Sequence, residues 1–550
     1  METMPKDTLS LWREEGNRLI PQNFEVFRTL VAQAQDFAKR GKYDMAAVYG
    51  EMAAFYANWK HCGLFVSPEL EQVLLDIGRK VIPSHSHHRK NNSASEKPKN
   101  ILHVATSVQS IGGHSKMIGR WIQQDSDRCH SLVLTRQPRK DVPKTIVDAV
   151  NNSGGKIYKL NQTMGSIISW AKKLWEIALA ADIVVLHIHN YDVIPIIAFA
   201  NKEQSPPVIL LDHADHAFWL GAGISDVVAN LRESGMHLAQ QRRGIEPKRV
   251  ALLPTILEPI HRELSREEAK QKLGFAKDSI ILLSIARAPK YKTIDGISYA
   301  DAHVQLLKKH EKATLIVVGA GNRKDWSQAI AQTQGRIIAH PEREDTAVFY
   351  QAADIYVDSF PFISTTSLLE AGSYGVPLVS RFPYSNASVI FGADMPGLTG
   401  NLIVARNLEE YTVVLSRLIE DEQFRLSLGE LTRKKIADTH LPNNWQHLLE
   451  NLYIFAVTLP RITAQSTSSD RMFLDEPDIF VPSIHGGTDF NLDYLIQSNL
   501  TVMPLTERLH YWFKFFKTNR LNNSFGRFGQ FKLLVPEWLY CRYVRSRYGS

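Results

Sequence analysis

Cysteine is scarce in this chain. Cys62, Cys129 and Cys541 are the only three in 550 residues, and their wide spacing excludes a disulfide framework and a clustered zinc site. A reducing, cytoplasmic setting fits that usage. Long hydrophobic runs are missing too, since none approaches the roughly 20 apolar residues a membrane-spanning helix needs. The opening METMPKDTLSLWREEGNRL has neither an apolar core nor a small-residue cleavage site, so no secretory signal is expected. Charge of one sign is lacking over most of the length. Residues 501–550 hold nine Lys or Arg against two acids, which accounts for the whole net +7. The balanced remainder argues against a nucleic-acid binder and leaves a basic tail to be explained.

What is present divides into segments. The length exceeds one ordinary core, so two or three domains are expected. Residues 1–82 read as a helical N-terminal extension: AQAQDFAKRGKYDMAAVYGEMAAFYANW carries small residues at helical spacing, broken at Arg40-Gly41. SPELEQVLLDIGRKVI then opens with a Ser N-cap and Pro at the first helical position. The pair resembles a tetratricopeptide hairpin, although a helical cap on the next domain fits a single unrepeated pair better. Residues 83–99 form a polar linker, where His85, His87 and His88 lack the carboxylate or cysteine partners a metal site would need. From Asn100 onward short apolar runs alternate with helical stretches, first over 100–258 and again over 259–440. Two such βα arrays predict two doubly wound, Rossmann-like α/β domains, whose ligands sit beyond the carboxyl ends of strands.

The strand ends of the second array carry the chemistry. IILLSIA leads into RAPKYKTID, with Arg287 and Lys292 on one loop; an anion such as a diphosphate relieves their repulsion, while Lys290 shows that the loop is simply basic. TLIVVGAGN ends at Gly319, a turn that lets backbone approach a ligand. RIIAHP, with Ile338, offers main-chain groups to a nucleobase edge. In DSFPFISTTSLLEAGSYG a loop bearing Ser364, Thr365 and Thr366 starts a short helix, where free N–H groups and the helix dipole favour an anion. Glu370, about one turn in, would repel a phosphate but would accept hydrogen bonds from a ribose diol.

Taken with SIGGHSKMIGRWI, IARAPKYKTIDG and RIIAHPEREDTAVFYQAADIYVDSF, these segments resemble GT-B-type glycosyltransferases of family 4, over about two thirds of the chain. DSFPFISTTSLLEA is also similar to the O-GlcNAc transferase family. The resemblance implies an Arg287/Lys292 phosphate loop and Glu370 at the ribose, beside the phosphate turn that the helix start gives to Thr365 and Thr366. It departs at Phe362, where family 4 carries a further Glu that contacts the donor sugar, so donor and stereochemistry stay open. On the acceptor side it implies Gly112 and Gly113 as the opening Gly-Gly loop. His114 projects from that loop, and His189 matches a cleft histidine, either serving as base if the reaction inverts. LLDHADHAFWLG adds His213, Asp215, His216 and Trp219, an aromatic and polar set suited to a sugar, with a His/Asp/His metal site as the competing reading.

The expectation is therefore a GT-B glycosyltransferase with a crossing helix over 441–460 and a basic aromatic tail over 461–550. It would move a sugar from a nucleotide-sugar, most simply a UDP-sugar, to a glycan, lipid or protein acceptor, with no metal and no cofactor beyond that co-substrate. Two alternatives stay open: a non-catalytic partner protein binding through its helical N-domain, and a protein O-glycosyltransferase. RLHYWFKFFKTNR mixes rings and cations, so the tail either lies on an anionic membrane at the inner face or packs its aromatics onto the catalytic domains.

Overall fold

The computed structural model describes residues 8–83, 97–138, 141–293, 297–462, 469–486, 490–521 and 531–541. The linker histidines His85, His87 and His88 and the final basic residues lie outside them. The chain divides into two compact units. One comprises Glu15–Asn230, Gly235–Leu252 and Leu449–Ser550; the other comprises Met1–Glu14, Leu231–Ser234 and Leu253–Leu448.

The larger unit is built on a parallel sheet of β1 (Asn100–Ala105), β2 (Cys129–Leu134), β3 (Ile157–Lys159), β4 (Ile183–His187), β5 (Val208–Asp212), β6 (Val227–Asn230) and β7 (Val250–Leu252). Its order is β3-β2-β1-β4-β5-β6-β7, so the winding reverses between β1 and β4. β4 and β5 are buried at every residue, as expected of strands covered on both faces. β3 and β6, at three and four residues, are too short to register as runs in the sequence.

From Glu15 onward the helical extension belongs to this unit. The helix ending at Lys39 and the helices Tyr43–Trp59 and Pro68–Val81 turn at Gly41 and start the third at Ser67, whose hydroxyl accepts the Leu70 N–H at 3.0 Å. They share one hydrophobic core with the sheet: Phe27 meets Phe218 edge-on at 6.0 Å. Glu71 reaches into the loop after β5 and accepts the N–H groups of Gly221, Ala222 and Gly223. The extension is thus a cap on the first array, and a predicted boundary at 82 does not mark a separate core.

The tail joins the same core. In the helix Leu505–Lys517, Trp512 and Phe515 are buried, the Tyr511 hydroxyl meets that of Tyr49 at 2.5 Å, and Glu507 pairs with Lys42 at 2.9 Å. Upstream, buried Asp478 accepts both Nη atoms of Arg242 at 2.7 and 2.8 Å and contacts His61 Nε2 at 3.0 Å.

The second unit holds β8 (Ile280–Ile285), β9 (Ala313–Val318), β10 (Ile337–His340), β11 (Ile355–Val357), β12 (Leu378–Arg381) and β13 (Leu402–Ala405). All pairs are parallel in the order β10-β9-β8-β11-β12-β13, with the reversal between β8 and β11. The stretch 407–440 holds two helices, Leu408–Glu420 and Glu422–His440. Asp421 ends the first and caps the second by accepting the Phe424 N–H at 2.9 Å.

Candidate functional site

In the second unit the reversal point places the ends of β8 and β11 side by side, where open α/β sheets hold ligands. Arg287 follows β8 with its side chain half exposed, 3.8 Å from the Glu342 carboxylate. The rest of its loop runs antiparallel along the turn after β11. Lys290 Nζ donates to the Ile363 carbonyl at 2.7 Å, Tyr291 bridges Pro361, and the Lys292 N–H donates to the Phe360 carbonyl at 3.3 Å. The cationic loop and the hydroxyl-bearing turn are therefore neighbours in one unit.

That turn opens the helix Thr365–Ser373, whose first intrahelical bond runs from the Leu368 N–H to the Ser364 carbonyl. The amides of Thr365, Thr366 and Ser367 thus lie in the open first turn, with the two threonine side chains part-exposed beside them. Asp358, which sequence reading missed, shapes the approach: its Oδ1 accepts the Ser359 and Ser364 N–H groups at 2.8 and 3.0 Å. Burial pushes its carboxyl up to about 6, against those bonds and the nearby Lys290 charge. Glu370 is part-exposed and accepts the Tyr350 hydroxyl at 3.2 Å. Phe362 lies under the Lys290 ammonium, 4.7 Å from Nζ to the ring centroid.

Two expectations change here. Gly319 has φ +92°, but a Cβ there would sit 2.4 Å from the Ala286 carbonyl oxygen, and its N–H donates to the His340 carbonyl. The glycine lets two strand ends close on each other rather than admitting a ligand. Ile338 lies inside β10, paired with Ile316, two residues short of the strand end. The groups beyond that end belong to Pro341 and Glu342 instead.

In the larger unit the reversal point brings together Thr106 and Ser107 after β1 and His189 after β4. The Thr106 hydroxyl accepts the His189 N–H at 2.8 Å and donates to buried Asp192 at 2.7 Å. The imidazole then lies 3.3 Å from the Tyr191 hydroxyl and 3.5 Å from Ser107 Oγ. Gly112, at φ +133°, leads into the helix Gly113–Gln124. From its first turn His114 Nε2 donates to the His187 carbonyl at 2.9 Å, with its ring stacked on His213 at 4.2 Å. His213 Nδ1 lies 3.3 Å from the Leu211 carbonyl. A carbonyl only accepts, so His114 carries its proton on Nε2 and His213 on Nδ1. Burial, reinforced by the neighbouring imidazoles, lowers all three: His189 and His213 to about 4, and His114 well below the usual histidine range. At neutral pH the cluster is a set of uncharged imidazoles, suited to hydroxyl groups.

The set proposed after β5 does not act together. Trp219 is core, 3% exposed, with the Arg243 guanidinium 4.7 Å from its ring centroid, so it offers no face to a sugar. Asp215 is buried, its carbonyl accepting Arg243 Nη2 at 2.8 Å and its carboxylate 3.4 Å from His216, whose ring packs edge-on against His485. Only His213 joins the histidine cluster. His187 is likewise interior, in a hydrogen-bonded row with His103 and His130 at 2.9 and 3.0 Å. Among the described residues, no three His, Cys, Asp or Glu side chains converge as metal ligands.

Residues 265–435 match the family described as glycosyl transferases group 1. The chain is 26% identical over 215 residues, 35% of its own length, to a D-inositol 3-phosphate glycosyltransferase of Corynebacterium aurimucosum, and 26% identical over 204 residues to one of Thermobifida fusca. It spans about half the length of these curated relatives, 47% and 45%. The crystal structure of a glycosyltransferase from Rickettsia africae superposes with a TM-score of 0.50 at 12% identity, covering 65% of this chain and 98% of that one. At that identity the likeness speaks for the fold: two parallel-sheet α/β units of GT-B type.

Proposed function

Because residues 265–435 match the group 1 glycosyltransferases, we propose that the protein moves a sugar from a nucleotide-sugar donor, a UDP-sugar, to a glycan, lipid or protein acceptor. The observation that carries this reading is the pairing of loop 287–292 with the turn that opens the helix Thr365–Ser373. Cations on one side and open amides with hydroxyls on the other make a nest for a diphosphate. Arg287 and Lys292 would offset the charge that grows on the departing nucleoside diphosphate, the main catalytic task when the leaving group is an anion. Thr365 and Thr366 would hold phosphate oxygens, and Glu370 would accept from the ribose diol. His114, His189 and His213 would meet the acceptor's hydroxyls as neutral imidazoles. The reading calls for no cofactor beyond the co-substrate, and it keeps a cytoplasmic setting.

A screen of nucleotide-sugar donors that reads nucleotide release, alone and with candidate acceptors, tests it. Arg287→Ala should weaken UDP binding about tenfold through loss of a charge-assisted fork. A wild-type protein that neither binds UDP calorimetrically nor releases it from any donor would leave the non-catalytic partner reading, which Phe362 favours by putting a ring where family 4 has a carboxylate.

Membrane contact through the tail belongs to the same proposal. No helix among the described residues is long and apolar enough to cross a membrane. Phe513, Phe516 and Phe531 are nevertheless 52%, 56% and 66% exposed beside Lys514 and Lys517, a pattern suited to an anionic lipid surface.

A further inference from the structure

One ammonium on the donor-side loop has no part in the roles above. Lys290 Nζ donates to the Ile363 carbonyl oxygen, and the Asp358 carboxylate accepts the Ser364 N–H. That oxygen and that N–H belong to a single peptide group, the one that leads into Ser364, the N-cap of the helix Thr365–Ser373. A positive charge holds its oxygen end and a negative charge its nitrogen end, each matched to the local dipole. The planar group rotates as a unit, so neither end can turn without breaking both charge-assisted bonds.

We propose that Lys290 is a positioning residue of the nucleotide site: with Asp358 it clamps the Ile363–Ser364 peptide so that the open amides of Thr365, Thr366 and Ser367 converge on the diphosphate. This rests on the nucleotide-sugar reading and adds a control to it. Flipping the clamped peptide would aim its carbonyl at the Asp358 carboxylate and its N–H at the Lys290 ammonium, acceptor against acceptor and donor against donor, and would turn the first-turn amides that follow it.

The arrangement has further support. Phe362 receives the ammonium on its ring face, and the Tyr299 hydroxyl donates to the carbonyls of Val357 and Asp358 at 3.2 and 3.1 Å, holding the strand end from which the carboxylate projects. The charged groups acting on Lys290 are Asp358, which favours its protonated form, and Arg287, which opposes it. Burial outweighs both and brings the ammonium down to about 8. The clamp therefore holds at neutral pH and loosens as Lys290 gives up its proton on the alkaline side, where UDP phosphates stay fully ionised.

The test is calorimetric titration of the full chain with UDP between about pH 7 and pH 9, with Lys290→Met and Lys290→Arg beside the wild type and melting temperatures recorded for each. The wild-type Kd should rise about tenfold over that interval as the charge is lost. K290R, whose guanidinium keeps its charge throughout, should stay flat within about twofold, and K290M should bind about tenfold more weakly at both ends. A wild-type Kd that does not move with pH, or a folded K290M with wild-type affinity near pH 7, overturns the clamp while leaving the nucleotide reading intact. No UDP binding by the wild type at any pH removes both. Should K290M fail to fold, the wild-type and K290R profiles decide between these outcomes.

Discussion

Glu71 gives the sharpest stability prediction. It lies in the helical extension, yet its carboxylate accepts the Gly221 N–H at 2.6 Å and the Ala222 N–H at 3.0 Å on one oxygen, and the Gly223 N–H at 2.5 Å on the other. Glu71→Ala strands these donors, two of them on glycines that offer no side chain to stand in. An unsatisfied buried amide costs about 1–3 kcal/mol, and water entering the trimmed space recovers part of it, so a total loss of about 3–4 kcal/mol is expected. Glu71→Gln separates charge from geometry. Its carboxamide oxygen still serves Gly221 and Ala222, but its NH2 group meets the Gly223 N–H, donor against donor. The expected cost is about 2 kcal/mol, roughly one lost bond to a charged group. Urea denaturation followed by tryptophan fluorescence reads the difference, and amide exchange at 221–223 localises it. Loss of less than about 1 kcal/mol in E71A, or a larger loss in E71Q than in E71A, would refute the claim that the extension is bonded into the first array.

Three further outcomes follow from the geometry. The folded state keeps His189 and His213 neutral down to about pH 4, whereas the unfolded chain protonates them near 6.5. The unfolded state thus binds more protons across that window, so stability falls as pH drops from about 6.5 toward 4; His213→Gln should flatten the fall in melting temperature, and an unchanged profile would count against it. Phe513→Ser with Phe516→Ser should abolish flotation on phosphatidylserine vesicles while leaving the protein off phosphatidylcholine vesicles; equal flotation of wild type and variant rules the patch out. Trp219→Ala should act through the core, costing about 3–5 kcal/mol in unfolding with no separate change in KM for any acceptor; a selective KM effect in a stable protein would restore the sugar-stacking role.

Much of the candidate site could be proposed from chain order because its physics is local. A cationic loop after one strand and Thr365-Thr366 before a helix each announce an anion through charge and open amides, whatever lies around them. The two parallel sheets were legible for the same reason, since strands buried on both faces appear as unbroken apolar runs. β3, β6 and β13 escaped because strands of three or four residues give runs too short to separate from the loops and helices around them. The set after β5 misled because His, Asp and Trp close in sequence look like a sugar site, whereas the turn sends Trp219 and Asp215 inward to Arg243 and only His213 toward His114.

Lys290 shows where reading along the chain stops. By composition it is one more cation in a basic loop, and Asp358 is a polar residue closing a strand. Their importance depends on both reaching one peptide group, from segments some 70 residues apart. Residue types and spacing determined which chemistry the strand ends could carry, because charge, hydroxyl content and helix starts belong to the chain itself. Which side chains face that chemistry, and which are spent holding the backbone still, was decided by tertiary packing, because burial and hydrogen-bond partnership arise only when distant segments meet.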